Sequence, residues 1–299
     1  AGLFDTPVEQ QTTADRGTLP PVHLFQPRET IRYRHSSNAG GNGEPEYPSP
    51  GVHIDLWFQQ APPPDTRLEI LDAKGQSIRS VGVSKPSPAG AGQAMRRPSR
   101  GQGGPSGIRP EAGMQRFSWD MRYPGPWAPA TPGGGGGGPM VAPGKYTVRL
   151  SSGGQTHTRA FDLKVDPRVP RDGVTQADLE EQVAFLLKVR DAVSDARRLQ
   201  QQVEEAMKKA GVAAVPPALP GVRPADVKFA HPLQGLWARL MEQPGIYPQP
   251  MLISQLQNVS RMVGQADQKV GKDAVDRFND LTKELQAARA EFQKAGGTM

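Results

Sequence analysis

Trp119 and Asp120 are the residues of this 299-residue sequence that come closest to a catalytic combination. They stand side by side in the segment SWDMRY, and a carboxylate beside an indole is typical of carbohydrate sites. Glycoside hydrolysis needs two carboxyl groups about 5–10 Å apart across the sugar. Neighbours in a strand point to opposite faces, so Trp119 and Asp120 do not share one site. The pattern instead predicts Trp119 or Phe117 in a core, with Asp120 holding a loop through Arg122.

The other reactive residue types do not form a recognisable site. Ser118 lacks the Gly-x-Ser-x-Gly context of a nucleophile elbow, and the sequence has no cysteine, which excludes disulfides and thiol nucleophiles. We therefore predict no catalytic residue, no cofactor and no metal ligand. The histidines have neither metal-ligand spacing nor a paired acid; they are His23, His35, His53, His157 and His231.

Six consecutive glycines, Gly133–Gly138, raise the question of a phosphate-binding loop. Such a loop lies between a strand and a helix, and a P-loop also carries a Lys-Ser/Thr pair. Here the glycines lie between prolines and lead into another strand, so we predict a connecting loop. Each doubling of loop length costs only about 0.6 kcal/mol. We therefore expect deletion of the run to change the free energy of unfolding by no more than about 1 kcal/mol.

The net charge of +6 invites a nucleic-acid interpretation. Most of the excess lies in residues 83–112, where five basic residues face only Glu111 and no aromatic residue occurs. Single-stranded nucleic acid is bound by basic and aromatic side chains together, so the pattern disfavours this partner and predicts a solvated loop. The sequence contains no apolar run of eighteen residues, so it predicts no membrane span of its own.

The elements that position these residues change period near residue 170. The segment GVHIDLWFQ (51–59) alternates strictly, which is typical of a strand with one buried face. One set of side chains points one way and the other set the opposite way: Val52, Ile54, Leu56 and Phe58 against His53, Asp55 and Trp57. Hairpins at 66–81 and 144–165, a strand at 114–123 and one or two edge strands within 22–34 complete the set of short predicted strands. In the second hairpin we expect a set of facing apolar residues: Tyr146, Val148 and Leu150 opposite Phe161, Leu163 and Val165.

After residue 170 the apolar residues recur at helical spacing. Thr175 and Asp178 form a capping pattern, and Gly211 ends the first helix. A short helix at 233–242 and helices at 249–266 and 272–296 follow. Long one-sided helices bury their stripes on each other, which predicts an antiparallel three-helix bundle.

The predicted fold class is therefore α+β: an antiparallel β-sandwich of immunoglobulin or fibronectin type, followed by an antiparallel helical bundle. We divide the chain into three predicted regions. They are an extended arm at 1–21, a β-sandwich domain at 22–169 with long Gly/Pro-rich loops at 83–112 and 124–140, and a helical bundle domain at 170–299.

The order of the segments resembles one bacterial protein region. LFQPRETIRYR, PGVHIDLWF, LEILDAKGQSIRS, RFSWDMRYPGP and PGKYTVRLSSGGQTHTRAFDLKVDPRV are similar to the C-terminal region of secreted sortilin-like β-propeller proteins with sialidase-type repeats. MLISQLQNVSRMVGQADQKVGKDAVDRFNDLTKEL resembles the tail of the same proteins, which are often labelled glycosyl hydrolases. No Asp-box SxDxGxTW occurs in these residues, so the hydrolase label does not transfer to them. The resemblance implies export to the periplasm or beyond.

These observations predict a non-enzymatic exported binding or scaffold module, a structural subunit of a larger periplasmic or membrane-surface assembly. The expected partner is a protein, at the periplasmic face of a membrane complex. Two alternatives stay open: an accessory C-terminal domain of a glycosyl hydrolase-like propeller protein, and a carbohydrate-binding sandwich. The candidate partner-binding residues are the apolar residues of the arm and three aromatic residues, namely Leu3, Phe4, Trp57, Tyr123 and Trp127.

Overall fold

The computed structural model describes residues 20–34, 51–84, 107–131, 137–213, 229–241 and 250–296. Within these ranges the chain has mixed α+β content, with eight strands in two sheets followed by five helices. It divides into two compact units. The strand unit comprises the described residues of 1–122 and 143–168, and the helical unit comprises those of 123–142 and 169–299.

The smaller sheet is antiparallel and has the strand order β1-β3-β6. Val52, Ile54, Leu56 and Phe58 of its central strand are each at most 1% exposed, as the alternation predicts. A one-sided strand buries every second side chain, so the intervening residues lie on the opposite face. The strands are β1 (Val22–Leu24), β3 (Val52–Phe58) and β6 (Gly113–Trp119).

The larger sheet has the strand order β2-β8-β7-β4-β5. Its β2 pairs with β8 in parallel, so the prediction of a purely antiparallel arrangement is wrong at this edge. The chain passes from the smaller to the larger sheet just before β2. The Phe25 N–H donates to Asp55 O of the smaller sheet, and the Gln26 side chain donates to Ala160 O of the larger sheet. The strands are β2 (Thr30–Arg32), β4 (Arg67–Leu71), β5 (Ser77–Gly82), β7 (Gly144–Ser152) and β8 (Gln155–Val165).

The two sheets share an aromatic core. The Trp119 ring of β6 lies 5.7 Å from the Tyr146 ring of β7 and 6.4 Å from the Phe161 ring of β8, measured between centroids. Trp119 also donates its indole N–H to Arg122 O at 3.1 Å. A buried Trp N–H normally finds such an acceptor. The core therefore consists of residues that lie far apart in the sequence.

The β7–β8 register differs from the prediction beyond its first pair. Tyr146 does lie opposite Phe161, but Val148 lies opposite Arg159 and Leu163 opposite Gly144. The two-residue turn at Gly153–Gly154, with φ of 54° and 76°, sets this register. Two positive φ values are what a tight hairpin of this kind requires.

The helical unit begins with a fully formed cap. Thr175 Oγ1 accepts from the Asp178 N–H, and the Asp178 carboxylate accepts from the Thr175 N–H at 2.9 Å, as the capping pattern predicts. Gly211, with a φ of 64°, follows the helix end, which confirms the predicted stop. The helices are α1 (Arg168–Arg171), α2 (Gln176–Lys209), α3 (Pro232–Leu240), α4 (Leu252–Gly264) and α5 (Lys272–Lys294).

The four longer helices enclose one hydrophobic core. Val189 of α2, Leu236 of α3, Leu256 of α4 and Leu285 of α5 are all buried in it. The Gln182 side chain of α2, which is also fully buried, donates to Val263 O and Ala266 O at the end of α4. Such bonds satisfy carbonyls that a helix end leaves without intrahelical donors.

The segment 123–142 groups with the helices, although it lies between two strands in the sequence. The Trp127 N–H donates to Ser194 Oγ at 3.0 Å, and Arg197 donates to Trp127 O at 3.2 Å. The Arg198 guanidinium lies 5.3 Å from the Trp127 ring centroid, within range of a cation–π contact. This differs from the predicted division, in which 124–140 is a loop of the strand domain.

Gly138 lies close against the backbone of Tyr123 and Pro124. A Cβ at this position would lie 2.1 Å from Tyr123 O and 2.4 Å from Pro124 O. The Tyr123 N–H donates to Pro139 O beside it at 2.9 Å. Only glycine therefore fits at position 138 without a backbone shift. The expectation that the glycine run can be deleted at little cost stays a prediction, and its residues 133–136 lie outside the described residues.

The described ends of the predicted 83–112 loop are held together. Val83 and Ile108 form a parallel bridge, and Ile108 is 2% exposed. The Gln115 side chain then bonds both the N–H and the C=O of Arg109. The segment between these ends, residues 85–106, lies outside the described residues.

Candidate binding face on the three-stranded sheet

Three rows of side chains lie on the face of the three-stranded sheet opposite its core. Strand alternation puts His53, Asp55 and Trp57 of β3 on this face. Their cross-strand partners on β6 are Ser118, Arg116 and Met114, and Trp57 also faces His23 on β1. We call this surface the outer face: His23, His53, Asp55, Trp57, Met114, Arg116 and Ser118.

The middle row of the outer face is a bidentate ion pair. Arg116 Nε donates to Asp55 Oδ1 at 2.7 Å, and Arg116 Nη2 donates to Asp55 Oδ2 at 2.8 Å. The Asp55 side chain is only 10% exposed, whereas that of Arg116 is 59% exposed. The hydrogen bond to Asp55 raises the pKa of Arg116. Two parallel bonds fix both side chains in one geometry.

The first row is a histidine–serine pair that the sequence did not reveal. His53 Nδ1 lies 2.9 Å from Ser118 Oγ. Burial lowers the pKa of His53, the charge of Arg116 lowers it further, and Asp55 acts in the opposite direction. The imidazole is therefore neutral at neutral pH. Asp55 has both carboxylate oxygens bound to Arg116, so it does not orient His53 as the acid of a catalytic triad does.

The third row is apolar. Trp57 is partly buried and lies between His23 of β1 and Met114 of β6, which is 40% exposed. His23 packs edge-on against the Phe25 ring, with centroids 4.6 Å apart. Burial lowers the pKa of His23, and the nearby Arg159 and His157 lower it further. This row therefore also carries no charge of its own at neutral pH.

The predicted partner-binding residues fall in three places. Trp57 lies on the outer face, whereas Tyr123 and Trp127 belong to the helical unit, where Trp127 contacts α2. Leu3 and Phe4 lie outside the described residues. Of the three predicted residues that the structure describes, only Trp57 therefore lies on the outer face. Alternation also indicated its neighbours His53 and Asp55 on β3, but the β6 partners depend on the strand register.

The structural interpretation of SWDMRY is confirmed. Trp119 and Phe117 are 1% and 6% exposed, and both belong to the core. Asp120 is exposed, and its carboxylate accepts from the Arg122 backbone N–H at 3.3 Å. The acid therefore holds the turn through the Arg122 backbone.

The described part of the chain contains neither a metal-binding cluster nor a membrane-spanning helix. No group of three or more His, Asp or Glu side chains there is placed to hold a metal ion. No helix among the described residues is long and apolar enough to cross a membrane.

Comparison with known proteins adds no relative: no model of a known protein family matches the chain, and no curated protein matches it. The resemblance to sortilin-like propeller proteins therefore depends on the quoted sequence segments alone.

Proposed function

We propose that this chain is a non-enzymatic, exported binding and scaffold module, a structural subunit of a larger assembly in the bacterial periplasm or at a membrane surface. The observation that carries the proposal is the outer face, where paired polar side chains and a partly buried tryptophan lie on one sheet. Binding sites are most precise when rigid elements and locked neighbours hold their side chains. The proposed export rests on the resemblance to secreted sortilin-like proteins.

The chemistry of the outer face supports binding rather than catalysis. Its carboxylate, Asp55, is already bound to Arg116 through both oxygens. Glycoside hydrolysis needs two carboxyl groups, and the outer face contains only this one. Ser118 and His53 contact each other without a carboxylate that orients the ring, and they lie on an open sheet surface. This arrangement favours hydrogen bonding to a ligand over activation of the serine.

The strand order supports the proposal that the two sheets form an immunoglobulin-type sandwich. One sheet has the order β1-β3-β6 and the other β2-β8-β7-β4-β5. These orders correspond to strands A-B-E and A′-G-F-C-C′ of an immunoglobulin-type sandwich, in which the first strand is shared between the sheets. We also propose that the helices form a bundle, because α2–α5 share one core. Both proposals concern the fold and by themselves assign no activity.

Site-specific cross-linking in the native bacterium tests the proposal. A photo-reactive amino acid at Met114 lies on the outer face, and one at Lys74 lies in the exposed turn between β4 and β5 as a matched control. We expect a discrete product of higher mass from position 114, in the periplasmic fraction, and none from position 74. Equal labelling from both positions, or recovery of the chain in the cytoplasmic fraction, would contradict the proposal.

A second measurement addresses the non-enzymatic part. The purified full chain is incubated with chromogenic glycosides and esters, and product release is followed over time. We expect rates equal to those of buffer and of the Ser118→Ala variant. Turnover that Ser118→Ala abolishes would show that the outer face is an active site.

A further inference from the structure

We infer that the outer face binds an uncharged carbohydrate: an extended β-linked chain of hexopyranose units that lies along strands β3 and β6. This inference deepens the proposed function and rests on that proposal only in taking the outer face as the binding surface.

The spacing of the rows suits a linear ligand. His53, Asp55 and Trp57 are two residues apart in β3, and each step of two residues in a strand covers about 7 Å. The three rows therefore form a straight strip about 14 Å long, the length of a short extended oligosaccharide. An oligosaccharide that coils would contact the strip through its first sugar residues only.

The apolar row provides a stacking surface. Trp57 is partly exposed beside Met114, and the C–H groups on one side of a flat sugar ring pack well on an indole. Such stacking requires that side of the ring to be free of axial hydroxyls. The row therefore favours hexopyranoses whose substituents are equatorial.

The polar rows provide hydrogen bonds that are already in place. Arg116 uses two of its five N–H groups on Asp55, so three remain available, and each Asp55 oxygen keeps a second lone pair. Adjacent hydroxyls of a sugar donate and accept at neighbouring positions, which matches a carboxylate beside a guanidinium. Because the ion pair already fixes both side chains, they lose little conformational entropy when a ligand binds.

The charge of the strip favours an uncharged ligand. Asp55 and Arg116 cancel each other, and His53 is neutral at neutral pH. An acidic polymer would find no excess of positive charge on these rows.

Binding of cellohexaose to the purified full chain, measured by isothermal titration calorimetry, tests the inference. Cellohexaose is a straight β-linked chain, and maltohexaose contains the same sugar in a coiled α-linked chain. We expect cellohexaose to bind at least about fivefold more tightly than maltohexaose. Equal affinity for the two, or no heat with either, would overturn the inference.

Variants locate the site. Trp57→Ala and Arg116→Lys should each weaken cellohexaose binding, by about tenfold and about fivefold. Met114→Ala, on the outer face, should weaken it by about threefold. Met262→Ala, at a 54%-exposed methionine of the helical unit, should leave it unchanged. Met114→Ala changes an exposed side chain and so keeps the test valid if Trp57→Ala does not fold. Unchanged affinity for cellohexaose in both Trp57→Ala and Met114→Ala would overturn the placement of the site on the outer face.

The outcomes separate this inference from the proposed function. A discrete protein adduct from position 114 without cellohexaose binding overturns the carbohydrate inference and leaves the scaffold proposal standing. Cellohexaose binding without any protein adduct supports the inference and removes the proposed subunit role. Failure of both experiments rejects the outer face as a binding surface.

Discussion

The outer face of the strand unit and the exposed side of α5 in the helical unit use polar side chains in different ways. In the strand unit, Asp55 and Arg116 are 61 positions apart in the sequence and form their ion pair only when β3 and β6 are paired. In the helical unit, Lys272 and Asp276 are four positions apart on one turn of α5 and are both exposed. Local exposed pairs are solvated and contribute little. The long-range pair therefore fixes the arrangement of a surface, whereas the local pair on one helix contributes little.

The largest expected effect would show that the helical unit also depends on a long-range contact. Gly138→Ala places a Cβ against Tyr123 O and Pro124 O and should lower the free energy of unfolding by about 3 kcal/mol. Gly137→Ala is the control, because its φ is 82° but its Cβ would enter open space. That variant should lose about 1–2 kcal/mol from backbone strain alone. Urea unfolding followed by circular dichroism measures both, and equal losses would refute the backbone clash.

The second prediction compares a long-range and a local amide within α2. Gln182→Leu removes the donor from Val263 O and Ala266 O and should lower the free energy of unfolding by about 2 kcal/mol. Within the described part of the chain, the Gln201 side chain donates only to Glu205, four residues away on the same helix. Gln201→Leu should therefore change the stability by less than about 0.5 kcal/mol. Thermal unfolding of the two variants measures both losses of stability. A similar loss in both would contradict the predicted difference between the long-range and the local amide.

The third prediction tests the two ion pairs directly. Asp55→Asn should lower the free energy of unfolding by about 1 kcal/mol, because Arg116 loses a bidentate charged partner but can reach water. Asp276→Asn should change it by less than about 0.5 kcal/mol. A double-mutant cycle with Arg116→Gln isolates the coupling energy of the first pair. A coupling no larger than that of Lys272 and Asp276 would remove the proposed difference between the units.

The smallest expected effect is a pH dependence confined to the strand unit. The pKa values of His23 and His53 are lowered from their usual 6.5, by burial first and then by Arg159 and Arg116 respectively. The unfolded chain therefore binds more protons once the pH falls below 6.5, and stability decreases from there through the folded pKa. Urea midpoints at about pH 7.5 and about pH 5.5 measure this, and His53→Asn should reduce the difference.

Two carboxylates affect stability in a lower pH range than the histidines do. Arg168 and Thr175 hold the pKa values of Asp166 and Asp178 below the usual 3.8. Their contribution is complete above 3.8 and is lost only as the pH falls below it. These two carboxylates therefore do not contribute to a decrease of stability between about pH 7.5 and about pH 5.5, and the absence of such a decrease would contradict the lowered pKa values of His23 and His53.

Sequence reasoning succeeded where the signal is local. The period of two in 51–59 gave β3 and its buried residues, and Thr175, Asp178 and Gly211 gave both ends of α2. The parallel pairing of β2 with β8 could not be predicted, because a three-residue strand has no periodicity and its partner lies far along the chain.

The same limit applies to the candidate site. Alternation placed Trp57 opposite the core, but the pairing of His53 with Ser118 and of Asp55 with Arg116 depends on the β3–β6 register. The contact between Trp127 and Ser194 joins residues 67 positions apart. No local pattern encodes such contacts, because tertiary packing sets them.

The base of the 85–106 segment has a consequence for protein engineering. The Ser84 N–H donates to Ile108 O at 2.8 Å, and the Ile108 N–H donates to Gly82 O at 3.0 Å, so the chain leaves and re-enters the sheet at adjoining points. A guest domain whose own termini lie close together can replace the intervening residues without pulling the strands apart. This position is therefore a suitable insertion point for a fluorescent reporter or an affinity tag, well separated in sequence from both chain termini.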